Sequence, residues 1–458
     1  MPSRREVGMD FPGKKITILG GGPAGLAVGY FARKGNIPFL IVEASHRTGG
    51  NSVTLKYGDF YFDSGAHRFH DKDREATQAI KKLMGEELIK INVPSQIYSD
   101  GKFIDFPLSP LDLLKNLGFF LSIKAIYSFF CAKFKKKKNI GHFASYANFK
   151  YGEVIAKKFL LNYSEKLWGD SCDRLAVDVA GKRIQGLDLK TFLTESFRGK
   201  KAKMEHLDGA FYYPSKGGIG DISERLEKYC GTGNISFGSN ITRIFHDGKR
   251  FTSIEIDFAK KIEVETIVNT IPATHFLEKM EPRPPACLME QSKKLQYRSL
   301  ILVAFFLDKE SVTPNASIYF PDKVFPFTRV YEPKNRNIRL SPQGKTSLVV
   351  EIPCRLGDNI WEKEDKRLKE LYADIFFRLE FMEEKEIINS VVYRIKYAYP
   401  VLEKGFSEKI QDIMDYLNSF SNLYLSGRNG MFMYTHIHDQ IRLGKEIIDS
   451  YSERKKLG

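Results

Sequence analysis

The apolar positions of KKITILGGGPAGLAVGYFARKGNIPFLIVEAS fall into three groups. A short β-branched run is followed by a glycine cluster and an Ala- and Leu-rich stretch with helical spacing, then by a second apolar run that ends at Glu43. That succession predicts a strand–helix–strand unit. Farther on, FASYANFKYGEVIAKKFLLNYSEKLW keeps a 3.6-residue period and predicts helix. The runs SLILVAFFL and TSLVVEI predict the buried strands of a second sheet. The segment Pro110–Lys138, PLDLLKNLGFFLSIKAIYSFFCAKFKKKK, is of another kind: aromatic and aliphatic residues interleave with lysines and end in a polybasic run. Lys115 and Lys124 keep every uninterrupted apolar stretch in it short of the ~20 residues that span a bilayer. Two readings stay open, an amphipathic helix at an anionic membrane interface and a buried helix with a solvated lysine tail.

Within the first unit the glycines stand at Gly20, Gly22 and Gly25, the G-x-G-x-x-G spacing. The first permits a tight turn, the second lets backbone approach a pyrophosphate, and the third lets helix pack on strand. A phosphate held there rests on a helix N-terminus, where unpaired N–H groups and the dipole favour negative charge. Glu43 closes the next strand, placed to accept a hydrogen bond from a ribose hydroxyl, and a carboxylate there disfavours a 2′-phosphate. The pattern implies a dinucleotide cofactor; the bland alternative is a glycine turn with no ligand.

At 458 residues the chain has room for two or three domains, and 42% hydrophobic with 28% charged residues places it among folded proteins. A formal charge of +15 calls for an anionic partner: nucleic acid, an acidic membrane, or a phosphorylated small molecule. No RRM, zinc or helix-turn-helix pattern accompanies the charge, which disfavours nucleic acid. The cysteines Cys131, Cys172, Cys230, Cys287 and Cys354 lie far apart without CxxC spacing. Neither a disulfide framework nor a metal site is indicated, and a reducing cytoplasm fits best. MPSRREVGMDFPGKK lacks the apolar core of a signal peptide.

The stretch SHRTGGNS places Arg47, Gly49 and Gly50 just beyond the acidic residue, and this R-x-G-G pattern resembles the second fingerprint of FAD proteins related to amine oxidases. NLYLSGRNGMFMYTHIHDQIRLGKEIIDSY resembles the segment with which such flavoproteins close over their flavin, YYPSKGGIGDISERLEKY their Pro-x-x-Gly-Gly helix entry, and IEVETIVNTIPATHF their return strand. The resemblance narrows further. GAHRFHDKD is similar to the histidine loop of UDP-galactopyranose mutases, NYSEKLWGDSCDRL to their Tyr-Thr-Glu-Lys-x-Trp-Gly stretch, and PFTRVYEPK to their Pro-Tyr-Thr-Arg segment. Ala66 stands where those mutases carry proline, and EPKNRNIRLSPQGKTSLVVEIPCRLGDNIW resembles instead bacterial flavoproteins labelled protoporphyrinogen-oxidase-like, many associated with surface polysaccharide.

The resemblance implies FAD as cofactor, bound through Gly20, Gly22, Gly25, Glu43, Arg47, Gly49, Gly50, Arg428 and Asp439. It implies His67, Arg183 and Arg329 at the reacting centre, with Tyr163, Trp168, Tyr399 and Tyr434 against substrate. Arg329 and Arg183 would clamp an expelled diphosphate by two-pronged contacts, and tyrosine hydroxyls would add neutral donors. Each residue has a plainer alternative: His67 and His70 as solvated loop polar groups, Trp168 as helix core, Lys166 as a surface residue, Arg329 as an exposed ion-pair former. Cys172 is expected to be inert packing, since nothing marks a low pKa.

The implied fold is α/β: a Rossmann-like FAD domain with a helical insertion and a second β-sheet substrate domain. Residues 14–72, 205–275 and 405–455 are assigned to the FAD domain, 73–204 to a mostly helical domain, and 276–404 to the β-rich one. Three functions follow. The first is a flavin-dependent sugar-nucleotide mutase of surface-glycan assembly, with a nucleoside-diphosphate sugar as substrate. The second is an FAD oxidoreductase acting on a lipid-linked, porphyrin-like or amine substrate. The third is a flavin-binding protein without turnover. The expected location is cytoplasmic, peripheral to the membrane if the Pro110–Lys138 segment meets lipid.

Overall fold

The computed structural model describes residues 13, 15–106, 116–134, 140–180 and 210–457. Arg183 and Lys135–Lys138, singled out in the sequence, lie outside the described residues. Contacts divide the chain into two compact units: Met1–Gly50, Ser223–Lys294 and Ile410–Gly458 form the first, Asn51–Ile222 and Leu295–Lys409 the second.

The first unit is built on a parallel five-stranded sheet, in the order Leu423–Leu425, Thr266–Asn269, Ile16–Leu19 (β1), Phe39–Val42 (β2) and Ile235–Ser236. Every residue of β1, β2 and Thr266–Asn269 is buried, which is why these strands are written as continuous apolar runs: parallel strands covered on both faces have no polar side. Helix α1 (Pro23–Lys34) makes the crossover from β1 to β2. Pro23 opens it, where a missing N–H costs nothing and the fixed φ suits the helix; Arg33 and Lys34 end it, complementing the dipole. Ala24 to Ala32 are all buried, because the C-terminal helix Ile437–Leu457 covers α1. The two backbones meet so closely that a Cβ on Gly444 would stand 2.8 Å from the Ala27 backbone.

The second unit contains β3 (Tyr297–Leu307), β4 (Ser317–Tyr319), β5 (Arg329–Tyr331), β6 (Thr346–Cys354) and β7 (Ile387–Pro400). With Ser95–Ser99 and Lys102–Phe106 they form a seven-stranded sheet in the order β7, β3, β6, β5, β4, Ser95–Ser99, Lys102–Phe106. Side chains of β3 alternate between two cores. Ile301, Val303, Phe305 and Leu307 pack with Tyr372 and Phe376 of the helix Asp365–Arg378, while Leu300, Leu302, Ala304 and Phe306 pack with Phe60 and Phe62. Helices α2 (Phe119–Phe134), α3 (Phe143–Tyr151) and α4 (Asn162–Trp168) belong to the same unit.

The division differs from the expected domains. Residues 51–72 and 205–222 go with the second unit because Phe60 and Phe62 enter its core and Asp63 accepts from the Tyr213 hydroxyl and the Ile219 amide. Residues 276–294 go with the first, where Met280–Glu281 pairs with Ile241–His246. The stretch expected to be mostly helical also contributes strands: Leu88–Asn92 pairs with Ala210–Pro214, and Ser95–Ser99 with Lys102–Phe106. These strands are too short to stand out against a helical background in a sequence window.

Lys166 is no surface residue. Its Nζ reaches out of α4 to the backbone carbonyls of Phe320, Asp322 (3.0 Å), Phe325 (3.1 Å) and Phe327 (2.7 Å). Burial pushes this amine down to about 7, with Asp322 opposing. The carbonyl ring also opposes that shift, because an ammonium has only donors to offer whereas a neutral amine would turn a lone pair on one of the oxygens. Arg298 caps the carbonyls of Lys166 and Leu167 at 3.1 and 3.0 Å, so α4 ends between two cations. Lys166→Met leaves four carbonyls short of a donor and is expected to cost about 3 kcal/mol. Denaturant unfolding with a midpoint equal to wild type would contradict this anchoring role.

Candidate functional site

In the first unit the β1–α1 turn is shaped by backbone. Gly20 has φ +104°, a conformation that side chains resist, and a Cβ there would stand 2.7 Å from the Thr270 hydroxyl oxygen. A Cβ on Gly25 would lie 2.0 Å from the Gly20 carbonyl oxygen, which enforces the close helix–strand approach. Gly22 is different: its backbone is ordinary, φ −71° and ψ 178°, and a Cβ there would meet only Gly50 Cα, at 3.8 Å. The space beside Gly22 is therefore left open by the protein and is what a bound group would use. No acidic residue occupies the first turn of α1, so its amides face no competing carboxylate on their own helix.

The R-x-G-G stretch folds onto this turn. The Gly49 amide donates to the Gly21 carbonyl at 2.9 Å, and Gly50 takes φ +50° beside Gly22. Glu43, at the end of β2, accepts from the Gly21 amide (2.6 Å) and from the Ser45 amide and hydroxyl (2.8 and 2.6 Å). Arg47 is exposed, with its carbonyl accepting from the Ser45 hydroxyl at 2.6 Å. The open space beside Gly22 and Gly50, the α1 N-terminus and the Glu43 carboxylate fit the pyrophosphate and ribose of FAD. Arg428 donates through Nε and Nη2 to the Thr435 carbonyl (3.1 and 2.6 Å) with its guanidinium 5.3 Å from the Tyr434 ring centre. Asp439 accepts from the His436 amide at 2.9 Å and caps the C-terminal helix. Arg428, Tyr434 and Asp439 thus shape one turn of the first unit, and Tyr434 does not share a unit with the other expected substrate residues.

The second unit gathers those others around a buried ion pair. Arg329 on β5 is 7% exposed and lies opposite Glu351 on β6. Its Nε donates to Glu351 Oε2 and its Nη2 to Oε1, both at 2.8 Å. Burial works against the guanidinium charge, but the Glu351 carboxylate holds its pKa well above the ordinary value, with Tyr319, Tyr163 and Tyr399 also near the group, so Arg329 is permanently cationic. Glu351 Oε1 also accepts from the Ala66 amide at 2.6 Å. The His67 loop is held against the pair: Gly65 has φ +136°, and a Cβ on it would stand 3.4 Å from both Glu351 Oε1 and His67 Nε2. Tyr319 lies 5.8 Å from Arg329 and 5.9 Å from Tyr163, ring centre to group. Trp168 is buried and packs edge-on against Tyr399 at 6.0 Å.

One expectation changes. Arg329 was expected to present a two-pronged edge to phosphate, yet its Nε–Nη2 edge is engaged by Glu351; Nη1 and the second Nη2 hydrogen are what the pair leaves to a ligand. The His70 ring lies beside Phe211 at 6.3 Å, next to Arg68, which stacks on the same ring and donates to Ser95. Cys172 is buried and its thiol pushed up to about 12 by burial and then by Glu165, so it is no nucleophile at neutral pH. Glu351 and Tyr319 escaped sequence reading. Glu351 had a signal, a lone acid within the apolar run TSLVVEIPC; Tyr319 had none beyond its aromatic ring.

Comparison with known proteins agrees with this architecture. A family model described as flavin containing amine oxidoreductase matches residues 24–374. Coproporphyrinogen III oxidase of Bacillus subtilis (strain 168) is 21% identical over 95% of this chain and 97% of its own length. A reduced UDP-galactopyranose mutase superposes with a TM-score of 0.81 at 17% identity, covering 96% of each chain. A putative protoporphyrinogen oxidase from Exiguobacterium superposes with 0.75 at 17% identity over 97% of this chain and all of the other.

The two glycines make opposite predictions. Gly22→Ala has room in the protein and an allowed backbone, so it should fold with wild-type helix content while losing flavin absorbance on purification. Gly25→Ala drives a Cβ into the Gly20 carbonyl and should destabilise the fold itself. Full flavin retention by Gly22→Ala would place the cofactor elsewhere. In the second unit, Glu351→Ala strands a buried cation and should cost ~3–5 kcal/mol in denaturant unfolding. The double variant Arg329→Met/Glu351→Leu should cost less; equal losses would mean that the pair is not coupled.

Proposed function

Because the chain belongs to the flavin containing amine oxidoreductase family and is an FAD enzyme, we propose that it acts on a nucleoside-diphosphate sugar, as a redox-neutral mutase of surface-glycan assembly on the cytoplasmic side. The observation that supports this reading is the cationic Arg329 buried among Tyr319, Tyr163 and Tyr399 in the second unit. When bound in its reduced form, FAD supplies a nucleophilic ring nitrogen toward an anomeric carbon. The protein's task is then to hold the displaced diphosphate until the sugar has rearranged. Arg329 provides charge at that place, and phenolic hydroxyls provide neutral donors. Glu351 tempers the cation, which suits a leaving group that must return rather than be trapped.

A second reading rests on the Bacillus relative, whose named substrate is a porphyrinogen and whose match runs along nearly the whole chain. In that case Arg329 would meet a substrate carboxylate and the reaction would be an oxidation. Titration of the reduced enzyme with UDP or dTDP at fixed salt separates the two. The mutase reading expects a perturbed flavin spectrum and no oxygen uptake with coproporphyrinogen. Arg329→Ala would leave Glu351 buried without its partner, so Arg329→Lys and Tyr399→Phe are the informative variants. The lysine keeps the charge but not the planar geometry, and nucleotide binding should weaken roughly ten- to a hundredfold with flavin content unchanged. No binding at millimolar nucleotide, together with oxygen consumption on the porphyrinogen, would replace the mutase by the oxidase.

A further inference from the structure

Helix α2 presents an apolar face that no described residue covers. Phe119, Phe120, Ile123, Ile126, Tyr127 and Phe130 are all more than half exposed, from 51% at Ile123 to 87% at Phe120. At about 100° per residue these six positions fall within roughly a third of the helix circumference. Ser122 and Ala125, on the other side, are buried, and a Cβ on Gly152 would stand 2.7 Å from the Phe129 amide nitrogen, so the helix is fixed to its unit through that opposite face. Large aromatic side chains gathered in one exposed patch mark an interaction surface rather than the usual scatter of apolar residues.

The charge around this face selects the partner. Lys124 is exposed within α2, no acidic residue occurs between Lys115 and Lys138, and the sequence continues after α2 with Lys135–Lys138. The whole chain carries +15, so pairing this face with a second copy of itself would bring like charges together. Among the described residues no helix is long and apolar enough to cross a membrane, and the 16 residues of α2 reach only ~24 Å. A stripe of aromatics with lysines at its edge suits the plane of an interface, rings among the acyl chains and ammonium groups at anionic headgroups. We propose that α2 docks this enzyme peripherally on an anionic lipid bilayer.

The test uses the full FAD-loaded chain in vesicle sedimentation, with phosphatidylcholine alone against phosphatidylcholine containing phosphatidylglycerol. Wild type should bind the anionic vesicles at least tenfold more tightly, and the difference should shrink as salt is raised. Phe120→Ser/Tyr127→Ser removes only exposed rings and should lower that binding at least tenfold with an unchanged melting temperature. Replacing Lys135–Lys138 with glutamine should reduce the preference for anionic vesicles. Three results would overturn the proposal. One is equal or absent binding of wild type to both vesicles. Another is a concentration-dependent dimer that Phe120→Ser/Tyr127→Ser dissociates, which assigns the face to a second copy. The last is a drop in melting temperature of that double variant without vesicle binding by wild type, which assigns the face to packing within the chain itself.

Discussion

A charge cannot be buried alone, and the second unit is arranged around that constraint. Arg329 and Glu351 face each other across β5 and β6, and the antiparallel register Arg329↔Glu351, Val330↔Val350, Tyr331↔Val349 is the one that pairs them. A slip by one residue would turn Arg329 and Tyr331 into the core that Val330 shares with Phe376, and Val330 into the face that meets the 60–67 segment. The pair therefore specifies register as well as neutralising itself. It also reaches beyond the sheet: Glu351 accepts the Ala66 amide, and Tyr331, two residues along the same face, donates to the Asp63 carbonyl at 2.6 Å. The histidine loop is thereby fixed at two points by strands distant in sequence.

The same economy of polar groups governs the approach of α4. Its last turn would expose carbonyls to a largely apolar surround, and Arg298 answers them; the segment 320–327 turns four carbonyls inward, and Lys166 answers those. Trp168 and Tyr163 project from this anchored helix, so the aromatic surroundings of Arg329 owe their positions to backbone carbonyls satisfied by cations. Substitution of the cations would displace the aromatics without touching them.

How much of this was legible in the sequence depends on how local each determinant is. The β1–α1–β2 unit was legible because its signals, Gly20, Gly22, Gly25 and two continuous apolar runs, lie within one stretch and act through backbone geometry. The buried strand β3 was legible for the same reason. The unit boundaries were not, since they turn on contacts such as Tyr213 to Asp63, 150 residues apart. The role of Glu351 was hidden likewise: it shows as an oddity within an apolar run, and only pairing with β5 gives that oddity a partner. The anchoring role of Lys166 was hidden because a flexible, charged side chain carries no local mark of the carbonyls it will meet.

The same contrast between local backbone and distant side chains separates the cofactor cradle from the surroundings of Arg329. A cradle made of backbone N–H groups and glycine torsions constrains few side chains, so chains sharing only 17% of their residues still superpose along almost their whole length. The surroundings of Arg329, by contrast, are written in side chains: Glu351, Tyr319, Tyr163 and Tyr399. A scaffold can keep the first set while exchanging the second, which is how one fold accommodates proteins named for a sugar nucleotide and for a porphyrinogen. Under the proposed mutase reading, function would turn on the polarity around one buried guanidinium, where Glu351 and tyrosines stand, a setting that suits an anionic substrate better than an apolar one.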